Sequence, residues 1–392
     1  MRANFAPPPA PAPGPVLLLV NSLGMGGSEA KSIRLANSLV ERGIKVVLAY
    51  LSPPESLRGE VSPDVDVVHL ARQGKFSWRA STRLVETIHQ RGVAVVVTYN
   101  LYPALYATLA RLRLGRSAFR LMASINTTDV MTRSMARRMP LYRWVLKHAD
   151  TIIFGAEIQR RLWQERYRIG TAGVPTEVLY NGVDTQRFAA LPDTTRLRPH
   201  APRTRFVIGT VGRLRPEKAQ VHLIRALATL RAHHIDAGVL IVGEGSERAN
   251  LEKEIKRLRL QDYVVLMGEQ RDVRPYLAQM DVFALTSTGV ETFSNAALEA
   301  MAVGLPVVTS RVGGMEELIA FGGGLSYAPG DVRMLTDTLR DLLQDTGRRQ
   351  KMATAARRAV VTHFTWPQMV ERFLALLPPA RSAPEEPPST ER

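Results

Sequence analysis

A pattern that runs twice constrains this chain more than anything else in it. Short β-rich apolar runs alternate with stretches of helical spacing, pause, and then begin again. The first series is "PVLLLV", "KVVLAYL", "VDVVHL", "VAVVVTYN", "RLMASIN" and "DTIIFGA". Between the first two runs, Ile33, Leu35, Ala36, Leu39 and Val40 fall at roughly helical spacing and Gly43 ends the helix. That is a βαβ unit. The second series opens at "RFVIGTVGRL" and continues through "AGVLIVGEG", "YVVLMGE", "DVFALTS" and "PVVTS". Strands that are apolar throughout belong in parallel sheets covered on both faces by helices. The fold class is therefore α/β, with two Rossmann-like doubly wound domains facing a cleft. The chain of 392 residues is long enough for two cores. The boundaries expected are a disordered Pro/Ala tail over 1–15, an N-terminal domain over 16–185 and a linker over 186–205. A second domain follows over 206–365, then an amphipathic helix over 366–378 and a disordered tail over 379–392. In open parallel sheets, ligands bind beyond the carboxyl ends of the strands. Two such domains can bring both sets of strand ends to one cleft.

Composition narrows the function classes. No cysteine is present, which removes disulfides, thiol catalysis and thiolate metal sites. The N-terminus lacks a signal-peptide apolar core, no apolar run is long enough to span a bilayer, and a cytoplasmic location is expected. The net charge of +16 is uneven. Residues 1–185 hold 24 Lys/Arg against 13 Asp/Glu, and residues 186–392 hold 28 against 23. A basic half attracts an anionic partner: nucleotide phosphates, an anionic membrane surface or nucleic acid. Nucleic acid ranks last, since aromatic residues are only 6% and no recognition module is present.

The most informative stretch is "GVETFSNAALEAMAVGLPVVTS", residues 289–310. Ser294 or Asn295 suits an N-cap, "AALEAMAV" favours helix, and Gly304 with Pro306 ends it. The start of such a helix attracts anions. Glu291 lies in the approach loop, and Glu299 about one turn inside, where a carboxylate can accept from a ribose diol. "GTVGRLRPEK" places Arg213 and Lys218 just past a strand, where two cations can hold a diphosphate as it leaves. "NSLGMGGSEAKS" places Gly26 and Gly27 at a strand-to-helix turn, allowing close approach of backbone to phosphate or sugar. Each feature taken alone also reads as a capped surface helix, ordinary loop charges or a plain tight turn.

Taken together, "ETFSNAALEAMAVGLPVV", "VGRLRPEK", "LYNGVD", "LIVGEGSER", "MDVFALTS" and "SLGMGGSE" resemble the glycosyltransferases of family 4, which have the GT-B fold. The resemblance covers roughly residues 16–378. It implies retaining transfer of a sugar from a nucleotide diphosphate sugar, with no metal or other cofactor. The acceptor would be a glycan or lipid-linked molecule of envelope polysaccharide or glycolipid synthesis. The resemblance gives Glu299 the ribose hydroxyls and Glu291 the donor sugar. The backbone amides of Phe293, Ser294 and Asn295 would meet the sugar and distal phosphate. Arg213 and Lys218 would neutralise the diphosphate, with Gly26 and Gly27 closing on it. The backbone near "GEQRDV" would meet the base, and the final helix would cross back onto the N-terminal domain. One position departs. Many family members carry a His near the sugar where this chain has Asn126, which can hydrogen-bond a hydroxyl but cannot shuttle a proton. A catalytically silent sugar-nucleotide-binding or scaffold protein is therefore the alternative.

Two stretches stay open. "DVD" at 64–66 matches the D-x-D of metal-dependent GT-A enzymes but runs straight into a β-rich segment. In "TRSMARRMPLYRWVLKH", Met135, Met139, Tyr142 and Leu146 fall at helical spacing among arginines, with Pro140 kinking the stripe or starting a new helix. The stripe either lies in an anionic headgroup layer at the inner membrane face or packs into the core.

Overall fold

The computed structural model describes residues 14–126, 136–171, 173–189, 198–289 and 291–378. The expected tails lie outside these except for Gly14 and Pro15, as does much of the expected linker. Seven parallel strands form the first sheet: β1 (Val16–Val20), β2 (Val46–Tyr50), β3 (Asp66–His69), β4 (Val95–Tyr99), β5 (Arg120–Ile125), β6 (Thr151–Phe154) and β7 (Thr176–Val178). Their order is β3-β2-β1-β4-β5-β6-β7. The second sheet holds β8 (Phe206–Val211), β9 (Ala237–Val242), β10 (Val264–Leu266), β11 (Val282–Leu285), β12 (Val307–Ser310) and β13 (Gly324–Tyr327), in the order β10-β9-β8-β11-β12-β13. β1 and β9 are apolar throughout and wholly buried, as central parallel strands require. Each sheet reverses its winding once, between β1 and β4 and between β8 and β11, which opens a crevice at the strand ends. β7 and β13 go beyond the strands read from sequence. They are three and four residues long, too short to show a period.

The final helix, Trp366–Leu376, opens with a capping box between Thr365 and Gln368. Met369, Val370 and Phe373 are buried in the same cluster as β1, β2 and the helix Gly27–Val40. The Trp366 indole donates to Ser38 Oγ at 2.8 Å. This last described helix is thus built into the first domain.

Of the stripe in 132–148, Met135 lies outside the described residues. Pro140 sits in the first turn of a helix, Met139–Lys147. Met139, Tyr142 and Leu146 are buried in the layer formed with the helix Leu101–Leu114, leaving Leu141 and Trp144 exposed. Of the two readings of the stripe, these residues follow the one that packs into the core. Burying such side chains stabilises the domain by about 1.5–3 kcal/mol each. Among the described residues no helix is long and apolar enough to cross a membrane.

Candidate functional site

A cavity of about 690 Å³ lies between the two sets of strand ends, a size suited to a small organic ligand. Gly26, Gly27, Asn126, Arg213, Lys218, Glu291, Phe293, Ser294, Asn295 and Glu299 all line it. The two domains meet there through helix starts. The helix Asn295–Ala302 is capped by Ser294, whose Oγ accepts from Ala297 N at 3.3 Å. The helix Gly27–Val40 starts opposite, and a β-carbon on Gly27 would lie 3.6 Å from Asn295 Nδ2. Two positive helix ends therefore converge on one point.

Side-chain cations reinforce them. Arg213 is exposed in the loop after β8, and none of the described carboxylates pairs with it. Lys218 ends a short 3₁₀ turn fixed to the β11 loop by Thr286 Oγ1 donating to its carbonyl at 2.9 Å. Its Nζ donates to Glu291 Oε2, which also accepts from Ser287 Oγ at 3.0 Å. Glu291 is buried, so Lys218 and Ser287 together compensate its charge.

Sequence reasoning did not single out Lys31, Arg34, Asn181 or Arg187, which also line the cavity. Lys31 Nζ donates to Asn181 Oδ1 at 2.7 Å, and Asn181 Nδ2 donates to the Phe293 carbonyl at 2.8 Å. Desolvation by burial lowers the Lys31 ammonium to about 8. Burial likewise pushes the Glu299 carboxyl up to about 7, while the guanidiniums of Arg34 and Arg187 oppose that rise. Asn181 lies within the quoted "LYNGVD"; the Lys31 and Arg34 positions could have been read as helix positions one and two turns past the glycines.

Asn126 is held within its own domain. Its N–H donates to Asn100 Oδ1 at 3.2 Å, its Nδ2 to Ser28 Oγ at 3.2 Å, and its Oδ1 accepts from Ser124 Oγ at 3.3 Å. Across the cleft, Thr292 Oγ1 donates to the Asn126 carbonyl at 3.1 Å. Asn100 has φ +74°, a left-handed conformation rare without glycine, and backbone strain of this kind collects at functional sites. The "DVD" segment lies elsewhere. Asp66 begins β3, at the end of the strand away from the cleft, and pairs with Arg91. Among the described residues no group of three or more His, Asp or Glu is placed to hold a metal ion.

Beyond this site, the chain matches known proteins along nearly its whole length. Residues 25–187 match the family described as Glycosyltransferase Family 4, and residues 193–359 match Glycosyl transferases group 1. A GDP-mannose-dependent alpha-(1-6)-phosphatidylinositol monomannoside mannosyltransferase of Mycolicibacterium smegmatis is 32% identical, covering 71% of this chain and 75% of that one. The chain belongs to glycosyltransferase family 4. An N-acetyl-alpha-D-glucosaminyl L-malate synthase of Bacillus anthracis is 24% identical over 89% of this chain and 93% of its own. The Anabaena HepE protein, solved with UDP, has the same fold, with a TM-score of 0.79 and 22% identity over 92% of this chain and 98% of that one. The family-4 chain described here is thus a glycosyltransferase with two Rossmann-like domains in the GT-B arrangement.

Proposed function

We propose that the protein is a retaining glycosyltransferase that moves a sugar from a nucleotide diphosphate sugar to a glycan or lipid-linked acceptor, in envelope polysaccharide or glycolipid synthesis. The observation that carries this reading is that two helix starts, Arg213, Lys218 and Lys31 line one cavity together with Glu299, which lies one turn inside its helix. The positive groups suit a diphosphate and the Glu299 carboxylate suits a ribose diol. HepE has also been solved with UDP-glucose, which supports a nucleotide sugar as the donor class.

In the proposed reaction the bond from the anomeric carbon to the diphosphate oxygen breaks and the acceptor oxygen bonds that carbon on the same face. The departing phosphate takes the acceptor's proton. Arg213 and Lys218 stabilise the charge that grows on it, and the amides of Phe293, Ser294 and Asn295 face the sugar and distal phosphate. Gly26 and Gly27 admit the phosphates against the first domain. Glu291, held by Lys218 and Ser287, presents its carboxylate toward the donor sugar. Asn126 acts as a further sugar contact, and no step needs it to carry a proton.

The step also needs no metal, so EDTA is expected to leave turnover intact. Loss restored by Mn²⁺ or Mg²⁺ would revive a metal-dependent reading. The deciding experiment is a screen of nucleotide sugars for nucleoside diphosphate release and for the anomeric configuration of the product. Donor binding without turnover for every acceptor tried would favour the silent binder that Asn126 prompts. A peripheral position at an anionic membrane surface belongs to the same proposal. It predicts sedimentation with anionic vesicles, and not zwitterionic ones, at low salt.

A further inference from the structure

The donor reading leaves the acceptor without a recognition element, and the first sheet carries one that the donor does not use. The order β3-β2-β1-β4 reverses between β1 and β4, where ligands of such sheets sit over the carboxyl ends of the strands. Arg72 follows β3 and reaches across this end of the sheet. Its Nη2 donates to Ser52 Oγ, just past β2, at 3.1 Å. Its guanidinium carbon lies 5.2 Å from the ring centroid of Tyr102, in the helix after β4. Nη1 is only loosely engaged, 3.5 Å from both Tyr102 Oη and the Lys75 carbonyl. Nε is buried and has no partner among the described residues. None of the described carboxylates forms an ion pair with this guanidinium.

Other arginines of the same domain are treated differently. Arg111 is buried against Asp150 at 2.8 Å, and Arg91 pairs with Asp66. A half-buried guanidinium with one firm hydrogen bond and no counter-charge costs free energy. The chain holds it in place at a further cost. Ala71 is forced to φ +51°, and Arg72 N donates to the Leu51 carbonyl at 2.8 Å. An anion delivered to Nη1 would supply the missing charge in the geometry that arginine favours.

We propose that Arg72, backed by Tyr102, is the acceptor-side anion subsite. The acceptor carries a phosphate or carboxylate, and Arg72 reads it while the nucleotide occupies the second domain. The inference rests on the proposed function, since only a transferase needs an acceptor at this end of the sheet. From Tyr102 the wholly buried ring of Tyr106 leads on to Phe76 and Trp78, at centroid spacings of 5.6, 5.2 and 5.0 Å, and Phe76 and Trp78 form an exposed ledge. That ledge would accommodate the apolar part of a lipid-linked acceptor; a soluble one would leave it bare.

The test uses the full chain saturated with UDP, so that added phosphate cannot occupy the donor site. Glycerol 1-phosphate and neutral glycerol are titrated by calorimetry. Phosphatidylglycerol-containing and pure phosphatidylcholine vesicles are compared by flotation. Glycerol 1-phosphate is expected to bind at least tenfold more tightly than glycerol. Arg72→Gln should abolish that preference and leave UDP affinity within twofold, while Arg72→Lys should keep part of it. Preference confined to phosphatidylglycerol vesicles, and reduced at least fivefold in Arg72→Gln, would assign the anion to a lipid. Should Arg72→Gln fail to bind UDP, Tyr102→Leu replaces it, with a loss of at least threefold expected. Equal binding of an anionic probe by wild type and variant, or no anion preference in either format, overturns the inference. Failure of the wild type to bind UDP or any other nucleoside diphosphate sinks the donor reading itself, and this inference with it.

Discussion

Glu299 sits where a carboxylate is costly. Burial raises it to about 7, so the folded protein holds this proton more tightly than the unfolded chain does. Between about 4.5 and 7 the unfolded chain releases the proton first, and stability falls as pH rises through that window. Above 7 the full cost is present. Glu299→Gln should therefore stabilise the unliganded protein at pH 8, by on the order of 1–3 kcal/mol in denaturant unfolding. The same change should weaken nucleoside diphosphate binding at least tenfold. Unchanged stability with unchanged binding would remove Glu299 from the site. Lys31 shifts the other way, to about 8, so its positive charge is lost as pH rises through that value. Nucleoside diphosphate affinity is then expected to peak between pH 7 and 8, falling on the acid side with Glu299 and on the alkaline side with Lys31. Lys31→Met should remove the alkaline limb only; a limb that survives in this variant belongs to another group. Arg213 meets charge that grows in the transition state, so Arg213→Ala should lower turnover about 100-fold at saturating donor. At this scale the sequence was legible wherever a residue lay inside a recurring local pattern, as Glu291, Ser294, Glu299, Arg213 and Lys218 do. Lys31 and Arg34 escaped because their meaning comes from tertiary placement. A lysine one turn into a helix reads as solvated until Asn181 and the facing domain close over it.

The helix Asn295–Ala302 joins fold and site at the scale of a single element. Its end at Gly304, φ +86°, and its Ser294 cap follow from local chemistry, which is why the sequence shows both. Ser294→Ala should cost about 1 kcal/mol of stability and also loosen the amides that face the donor. A stability loss without any loss of donor affinity, measured by unfolding and by calorimetry on the same variant, would confine Ser294 to capping. The helix Met139–Lys147 teaches the opposite lesson. Its start at Pro140 follows from the ring, but its amphipathic period says only that one face is apolar. Whether Tyr142 and Leu146 meet lipid or protein is decided by the helix Leu101–Leu114, which packs over them. β7 and β13 were illegible for a related reason: each is an edge strand whose identity comes from the strand it pairs with, β6 and β12 respectively.

Across the whole molecule, the two domains are locked by a contact that neither could make alone. The helix Glu157–Tyr167 begins in the first domain without a side-chain cap of its own. Glu317, on the helix Met315–Ile319 of the second domain, supplies it. Its carboxylate accepts from Glu157 N at 2.9 Å, Ile158 N at 2.5 Å and Tyr180 Oη at 2.9 Å. A carboxylate at a helix start with three donors is a strong, directional bond set. Beside it the backbones approach closely. A β-carbon on Gly314 would lie 2.5 Å from the Thr292 carbonyl and 2.6 Å from Ala156 Cβ, although its φ of −77° would suit alanine. A side chain at Gly314 would therefore press both on Thr292 of its own domain and on Ala156 of the first. Both sheets have separate cores, so breaking this contact should shift the closure of the domains and spare their folding. Glu317→Ala is expected to bind a nucleoside diphosphate within about threefold of wild type. Turnover should fall tenfold or more, because Arg213 and Lys218 would no longer meet the first domain's helix start across a closed cleft. Small-angle scattering of the nucleoside diphosphate complex should show a larger radius of gyration in this variant. Wild-type turnover together with a wild-type radius in Glu317→Ala would show that this contact does not hold the domains in the arrangement in which transfer occurs.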